Sequence, residues 1–385
     1  MIIPRTLTTH LKQLAVHFPI LSVTGPRQAG KTTLLAEMFP QYEYVSLEPL
    51  DVREEANNFT EKFLQRYSGK VIFDEAQHAP PLFNYLQGVV DQNPEPGRVI
   101  LSGSQNFLLR QNITQSLAGR VGVTRLFPFD LQEMADTGQL PSSPEEAIVN
   151  GFYPRRLNTN IPPKYFYPSY VASYLERDVT DLINSKNLKS FLIFLRSCAH
   201  FTGQLLNYSK LAQMVGVNRA TIDAWLSILE MSYVIFLLPP YFENFGKRVT
   251  KSPKLYFYDT GLVCHLLEIE NVQQLLRSRV YGALFENLVV ADRKKRLQHL
   301  GENGWLYFFR DSNGLEADLL EGGEHNRRLT EIKSNKRLSF NWDKNIRKIG
   351  ALTPEASIDY RVIYGGKEQA EHNGTVYWPW FKAGG

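Results

Sequence analysis

From residue 19 to residue 126 the chain alternates short apolar runs with longer stretches whose apolar positions recur at helical spacing. The runs at 20–24, 44–47, 71–73, 99–102 and 121–126 read as strands. The stretches between them, 31–39, 52–67, 82–91 and 107–118, read as helices. Such alternation predicts an α/β fold, a parallel sheet with helices on both faces. A polar Pro/Ser-rich link at 140–145 and the turn Gly151-Phe152-Tyr153-Pro154 then end the first domain. Helical patterns follow at 165–184 and 189–200. Residues 208–229 outline a helix-turn-helix. Leu211, Met214 and Val215 share one helical face, Gly216 turns the chain and Asn218 caps a second helix. That helix carries Ile222, Trp225, Leu226 and Leu229 at i, i+3, i+4 and i+7. Strand-like segments at 234–238 and 254–258 come next, as in a winged helix.

The first strand leads into the sharpest chemical signal of the chain. Gly25, Gly30, Lys31 and Thr32 satisfy GxxxxGK[ST], with a strand before the loop and a helix, stopped by Pro40, after it. A Gly-containing turn can match the pattern by chance, but not readily with both flanks in place. Glycines let backbone N–H groups curl around a phosphate. The segment Gly25, Pro26, Arg27, Gln28, Ala29, Gly30, Lys31, Thr32 and Thr33 is therefore the expected ATP-binding loop. Lys31 would reach the β- and γ-phosphates, and the Thr32 hydroxyl would sit on Mg²⁺.

The third strand ends in Asp74 and Glu75. A carboxylate there points into the crevice where open α/β sheets bind ligands. Asp74 is placed to hold Mg²⁺ and Glu75 to polarise an attacking water. Ser104 and Gln105, after the fourth strand, are candidates to sense the γ-phosphate, or else form a capped turn. Arg120, on a Gly-containing loop, is either a solvated charge or an arginine finger offered to a neighbouring subunit.

Between the two wing strands sit Lys247, Arg248, Lys251 and Lys254, with no acidic residue from 244 to 258. With Arg219 at the start of the second helix, they are candidate DNA-phosphate contacts, or simply a solvated loop. The last hundred residues hold a further candidate site. A helix carries Glu286, one strand carries Asp318, and the next carries Glu331 and Lys333 on one face. That is the layout of a two-layer phosphodiesterase site, with Asp318 and Glu331 binding Mg²⁺ and Lys333 orienting water.

Composition narrows the field without adding chemistry. The 385 residues suggest two to four domains, and 43% hydrophobic with 21% charged residues is ordinary for globular proteins. A net charge of +4 permits an anionic partner without requiring one. Two distant cysteines, Cys198 and Cys264, offer neither a disulfide framework nor a metal cluster. The opening MIIPRTLTTHLKQL lacks an apolar signal core, and no apolar run approaches the roughly 20 residues of a membrane span. A cytoplasmic protein with no membrane partner is expected.

Taken together, the blocks GPRQAGKTTL, IFDEAQHAP, LSGSQNFLL, SLAGRV and PFDLQEM resemble the AAA+ superfamily ATPases that carry a C-terminal DUF4143 region. YLERDV, GQLLNYSKLA, LPPYFENFGKR, SPKLYFYDTGL, FENLVV and EADLLEGG with TEIKS extend the resemblance to nearly the full length, with a small departure at Tyr153. It implies an AAA_14-type, ASCE ATPase core at 1–150, a helical lid at 151–200, a winged helix at 201–280 and a PD-(D/E)XK nuclease-like α/β domain at 281–385. The implied activity is ATP hydrolysis with Mg²⁺ by a nucleotide-dependent homo-oligomer that moves its C-terminal domains on DNA. Two alternatives stay open: a regulatory switch acting on a protein partner, and a nuclease gated by ATP.

Overall fold

A computed structural model describes residues 3–104, 116–175, 188–241, 251–302, 305–322, 326–352 and 357–384. The chain divides into two compact units. The first comprises Met1–Phe129, Met231–Tyr233 and Gln298–Glu302; the second comprises Asp130–Glu230, Val234–Leu297 and Asn303–Gly385. Among the described residues, no helix is long and apolar enough to cross a membrane.

The first unit is built on five parallel strands, β1 (Ile20–Thr24), β2 (Glu43–Ser46), β3 (Val71–Asp74), β4 (Val99–Gly103) and β5 (Val121–Arg125). Their order is β2-β3-β4-β1-β5. All five expected strands are present to within a residue or two at each end. Alternate residues feed two separate cores, as the period of two in a strand requires. Ile20, Val71, Phe73, Val99 and Leu101 face one; Leu21, Val23, Ile72 and Ile100 face the other. The first core is closed by the helices Leu50–Asn58, Thr60–Arg66 and Pro81–Gln92, the second by Leu7–Ala15 and Lys31–Met38.

One expected helix is two. The stretch 52–67 breaks at Phe59, whose φ of −132° and ψ of 41° leave the helical region. Thr60 then donates its hydroxyl to the carbonyl of Ala56 at 2.7 Å, a local bond that competes with helix continuation. Most of the stretch 107–118 lies outside the described residues.

In the second unit, Asp259 ties the Gly151 turn to the rest. Its carboxylate accepts from Phe152 N–H at 2.7 Å and from the Tyr167 hydroxyl at 2.7 Å while capping the helix Thr260–Leu266. The helix-turn-helix is present as Tyr208–Val215 and Arg219–Met231, with Gly216 in the left-handed region between them. Ile222, Trp225, Leu226 and Leu229 are buried, and Trp225 packs on Phe191 and Phe194. Met214 differs from expectation, for it is 48% exposed while Leu211 and Val215 are buried. The inward stripe of so short a helix follows the i, i+4 pair and leaves i+3 at its edge. An antiparallel pair follows, β6 (Ile235–Leu238) and β7 (Lys254–Phe257).

The chain ends in a mixed six-stranded sheet of β8 (Leu306–Arg310), β9 (Glu316–Gly322), β10 (Asn326–Lys333), β11 (Ser357–Tyr364), β12 (Ala370–His372) and β13 (Thr375–Pro379). Its order is β12-β13-β11-β10-β9-β8. β10 pairs antiparallel with β9 and parallel with β11. Helix Lys344–Gly350 supplies Ile346 and Ile349 to the core on this sheet, beside Phe309, Leu320, Leu329 and Val362.

Candidate functional site

The loop after β1 has the backbone that its sequence demands. Gly25 has φ +148°, and a Cβ there would come 2.0 Å from the Leu126 carbonyl oxygen, so no other residue fits. Gly30 closes the loop at φ +92° and starts the helix Lys31–Met38 with no side-chain cap. The N-terminus of such a helix is a ready place for an anion. Arg5 braces the loop from behind, donating to the carbonyls of Ala29 at 2.8 Å and Phe127 at 2.6 Å. Lys31 is buried and donates to the carbonyls of Gly25 at 2.9 Å and Pro26 at 3.0 Å, so its cation stands over the loop's own entrance.

β4 lies between β1 and β3, and the parallel register brings the ends of all three strands to one edge. The Thr32 hydroxyl donates to Asp74 Oδ2 at 3.0 Å. Tyr44, the second residue of β2, donates its phenol to the same oxygen, and Glu75 N–H donates to Oδ1 at 3.1 Å. Burial, and then the Asp74 carboxylate, push the Tyr44 phenol far above its ordinary range, so it stays a donor. Among the described residues Asp74 receives only neutral donors, though it is buried. A buried carboxylate in that state fits a hard divalent cation, which Thr32 and Asp74 together would hold.

Glu75 adopts a left-handed backbone, φ +54°, which costs a non-glycine residue about 1–3 kcal/mol. The kink sets its carboxylate against Ser104, whose hydroxyl donates at 3.1 Å and whose N–H lies at 3.4 Å, and against the Gln77 amide. Ser104 therefore contacts the candidate base itself. Gln105 lies outside the described residues. Arg120 forms a two-pronged pair with Asp91, at 2.6 and 2.9 Å, on the exposed surface of the unit.

The second unit gathers Glu286, Asp318, Glu331 and Lys333. Asp318 and Glu331 are the next residues on each strand beyond the Leu319↔Thr330 pair, and Asp318 Oδ2 accepts from Ile332 N–H at 2.7 Å. Lys333 donates to Glu331. Burial, then Glu286 and Glu331, push the Asp318 carboxyl well above the usual carboxylate range. Burial also raises Glu331, against the pull of Lys333.

Lys254 corrects one expectation. It is 3% exposed, not a wing contact for DNA, and its ammonium lies 2.8 Å from Glu286, 2.7 Å from Glu316 and 3.9 Å from Asp318. Burial works to lower its pKa, but Glu286, Asp318 and Glu316 outweigh that and hold it above the ordinary lysine value. Tyr256, two residues on and on the same strand face, donates to Glu286 at 2.5 Å.

Residues 17–135 match the AAA domain, 281–382 match the domain of unknown function DUF4143, and 142–273 match the domain of unknown function DUF8612. An uncharacterised protein of Mycobacterium tuberculosis, Rv2008c, is 31% identical over 323 residues, 82% of this chain and 70% of that protein. The chain belongs to the AAA-domain family that carries a DUF4143 region. Another relative, the uncharacterised protein MJ1544 of Methanocaldococcus jannaschii, is 23% identical over 342 residues, 80% of this chain and 73% of that one. Among solved structures, a Walker-type ATPase of Pyrococcus abyssi is 16% identical, with a TM-score of 0.45 over 69% of this chain and 96% of that one.

The remaining basic candidates of this AAA-domain protein fall in different places. Arg219 is exposed at the start of its helix, 3.9 Å from Asp223 and 5.2 Å from the Tyr208 ring. Lys251 is exposed, and Lys247 and Arg248 lie outside the described residues. Tyr44, Arg5, Glu316 and Tyr256 complete the two clusters and carried no sequence signal of their own. Each acts through a partner distant in sequence, Arg5 across 122 positions to Phe127.

Proposed function

We propose that the protein binds ATP with Mg²⁺ at the loop Gly25–Thr33 and hydrolyses it. The observation that carries this is the 3.0 Å bond between Thr32 and Asp74, which unites the loop's hydroxyl with the acidic strand's carboxylate. The loop N–H groups and Lys31 would bind and orient the β- and γ-phosphates. Glu75, held by Ser104, would accept a hydrogen bond from the attacking water and align it. Bound Mg²⁺ would offset the charge that develops on the phosphate oxygens. Phosphate release tests the assignment: turnover should depend on Mg²⁺ and vanish with a chelator. A chain that binds a non-hydrolysable ATP analogue yet releases no phosphate with Mg²⁺ would be a switch, not an ATPase.

We further propose that nucleotide state governs a C-terminal region that engages DNA, with Arg219 and Lys251 the exposed cations that support contact with phosphates. Duplex binding should then weaken steeply with salt, and Arg219→Ala should reduce the salt slope by about one. Binding that is insensitive to salt, or absent, would favour a protein partner instead. Nucleotide-dependent self-association remains part of the proposal, and Arg120 would have to leave Asp91 to serve a neighbour. The helix-turn-helix with its strand pair supports a winged helix. Glu286, Asp318, Glu331 and Lys333 on one helix and two strands support a PD-(D/E)XK-like fold. The neutralisation of that cluster favours a DNA- or partner-binding scaffold over a working nuclease.

A further inference from the structure

Several features of the second unit converge on one atom, Lys254 Nζ. It lies within hydrogen-bond distance of Glu286 Oε1 and Glu316 Oε1, 3.9 Å from Asp318 Oδ1 and 5.5 Å from the centre of the Phe308 ring. The position is built into the backbone. Lys254 opens β7, is paired with Leu238 on one side and bridged to Leu205 on the other. Three residues on, Asn287 clasps both the N–H and the carbonyl of Phe257 at 2.8 Å. Glu286 and Asn287, adjacent on the helix Tyr281–Leu300, thus both address β7. A surface lysine swings freely; this one is delivered by a strand fixed on both edges.

Among the described residues, most of the negative charge around it is already met by the chain's own cations, three of them against four carboxylates. The cluster holds Glu286, Glu316, Asp318 and Glu331, and against them stand Lys254, Lys333 and Arg310, the last 3.3 Å from Glu316. Carboxylates gathered out of water need a counter-charge, and here ammonium and guanidinium groups supply it. A divalent ion bonded to Glu286 and Asp318 at about 2.0–2.6 Å would have to evict an ammonium already bound there. If it did not, it would sit against that ammonium as a like charge.

We propose that Lys254 is the resident cation of this cluster, closing it to divalent metal, and that the nuclease-like residues serve as a socket that latches β7 to the helix Tyr281–Leu300. The proposal rests on the second unit alone, so its failure and that of the ATPase assignment are separable. The test is Mn²⁺ binding to the full chain without nucleotide, followed by electron paramagnetic resonance, for wild type, Lys254→Met, Lys254→Arg and Lys254→Met/Asp318→Asn. Wild type and Lys254→Arg should show no Mn²⁺ site that depends on Asp318. Lys254→Met should gain one, at least ~10-fold tighter than any wild-type binding, and lose it again with Asp318→Asn. A wild-type chain that binds Mn²⁺ at a site abolished by Asp318→Asn overturns the proposal. So does a folded Lys254→Met chain that binds no more Mn²⁺ than wild type. Should Lys254→Met not fold, the comparison of wild type with Asp318→Asn alone still decides, since only a metal-accepting cluster loses binding there.

Discussion

Asp74 and Asp318 are both carboxylates withdrawn from water on a strand of an α/β sheet, yet their surroundings differ in sign. Asp74 is met by two hydroxyls and a backbone N–H, and among the described residues its hydrogen bonds come from neutral donors alone. Asp318 sits among three other carboxylates with Lys254 and Lys333 already in place, and its own carboxyl is pushed toward the neutral form. The lesson is that an acidic cluster is defined less by its carboxylates than by who neutralises them. The first arrangement leaves a role for an added cation; the second has filled that role from its own chain.

The largest expected effect comes from Glu75. Glu75→Gln keeps the shape and the contact with Ser104 but removes the carboxylate that aligns water. Phosphate release should fall by roughly 10²–10⁴-fold while calorimetry shows ATP binding retained. Undiminished turnover would remove Glu75 from the mechanism and leave Asp74 as the one acidic residue there with a role. Lys31→Ala comes next. It removes the loop's buried cation, and ATP affinity should drop by about 2–5 kcal/mol, measurable by the same calorimetry. An unchanged dissociation constant would place the phosphates somewhere other than this loop.

Tyr44→Phe probes the neutral surroundings of Asp74 directly. The phenol is a positioning donor, so its loss should raise the Mg²⁺ concentration needed for half-maximal turnover by about 10–100-fold. Turnover at saturating Mg²⁺ should recover, which a merely unfolded or misassembled site would not do. An unshifted Mg²⁺ dependence would mean that Thr32 and the Glu75 N–H suffice to orient the carboxylate.

The two clusters were unequally legible in the sequence, for a physical reason. The loop Gly25–Thr33, and Asp74 and Glu75, are contiguous segments whose chemistry follows from local backbone form, so pattern alone located them. Strand limits were legible because buried parallel strands read as short runs dominated by apolar residues. Lys254 was not, because the segment around it lacks acids and therefore resembles a solvated loop. Its partners lie 32 positions away at Glu286 and further still on β9. Tyr44 and Arg5 share that fate: one meets Asp74 because β2 pairs with β3, the other reaches Phe127 past β5. The order of strands in a sheet is a long-range choice, and single residues that exploit it leave no periodic trace. Phe59 and Met214 failed differently, since a helix break and the edge of a stripe turn on side-chain competition too small for pattern to register.

The smallest predicted effect makes the comparison sharpest, because it uses the same chemical change as the largest. Glu316→Gln in the second cluster also trades a carboxylate for an amide. Glu316 pairs with the Lys254 ammonium at 2.7 Å and stands 3.3 Å from Arg310, but Glu286 remains to hold the ammonium. The amide oxygen can still face the ammonium, so only the charge of one arm of the ion pair is lost. Stability should fall by about 0.5–1.5 kcal/mol in denaturant unfolding, with no change in ATP turnover. Glu75→Gln should do the reverse, sparing stability and suppressing turnover, since an amide oxygen can still accept from Ser104 and Gln77 but cannot serve as the carboxylate that aligns water. If Glu316→Gln instead suppressed turnover at unchanged stability, the socket would be part of the catalytic cycle, and the division between the two clusters would fail.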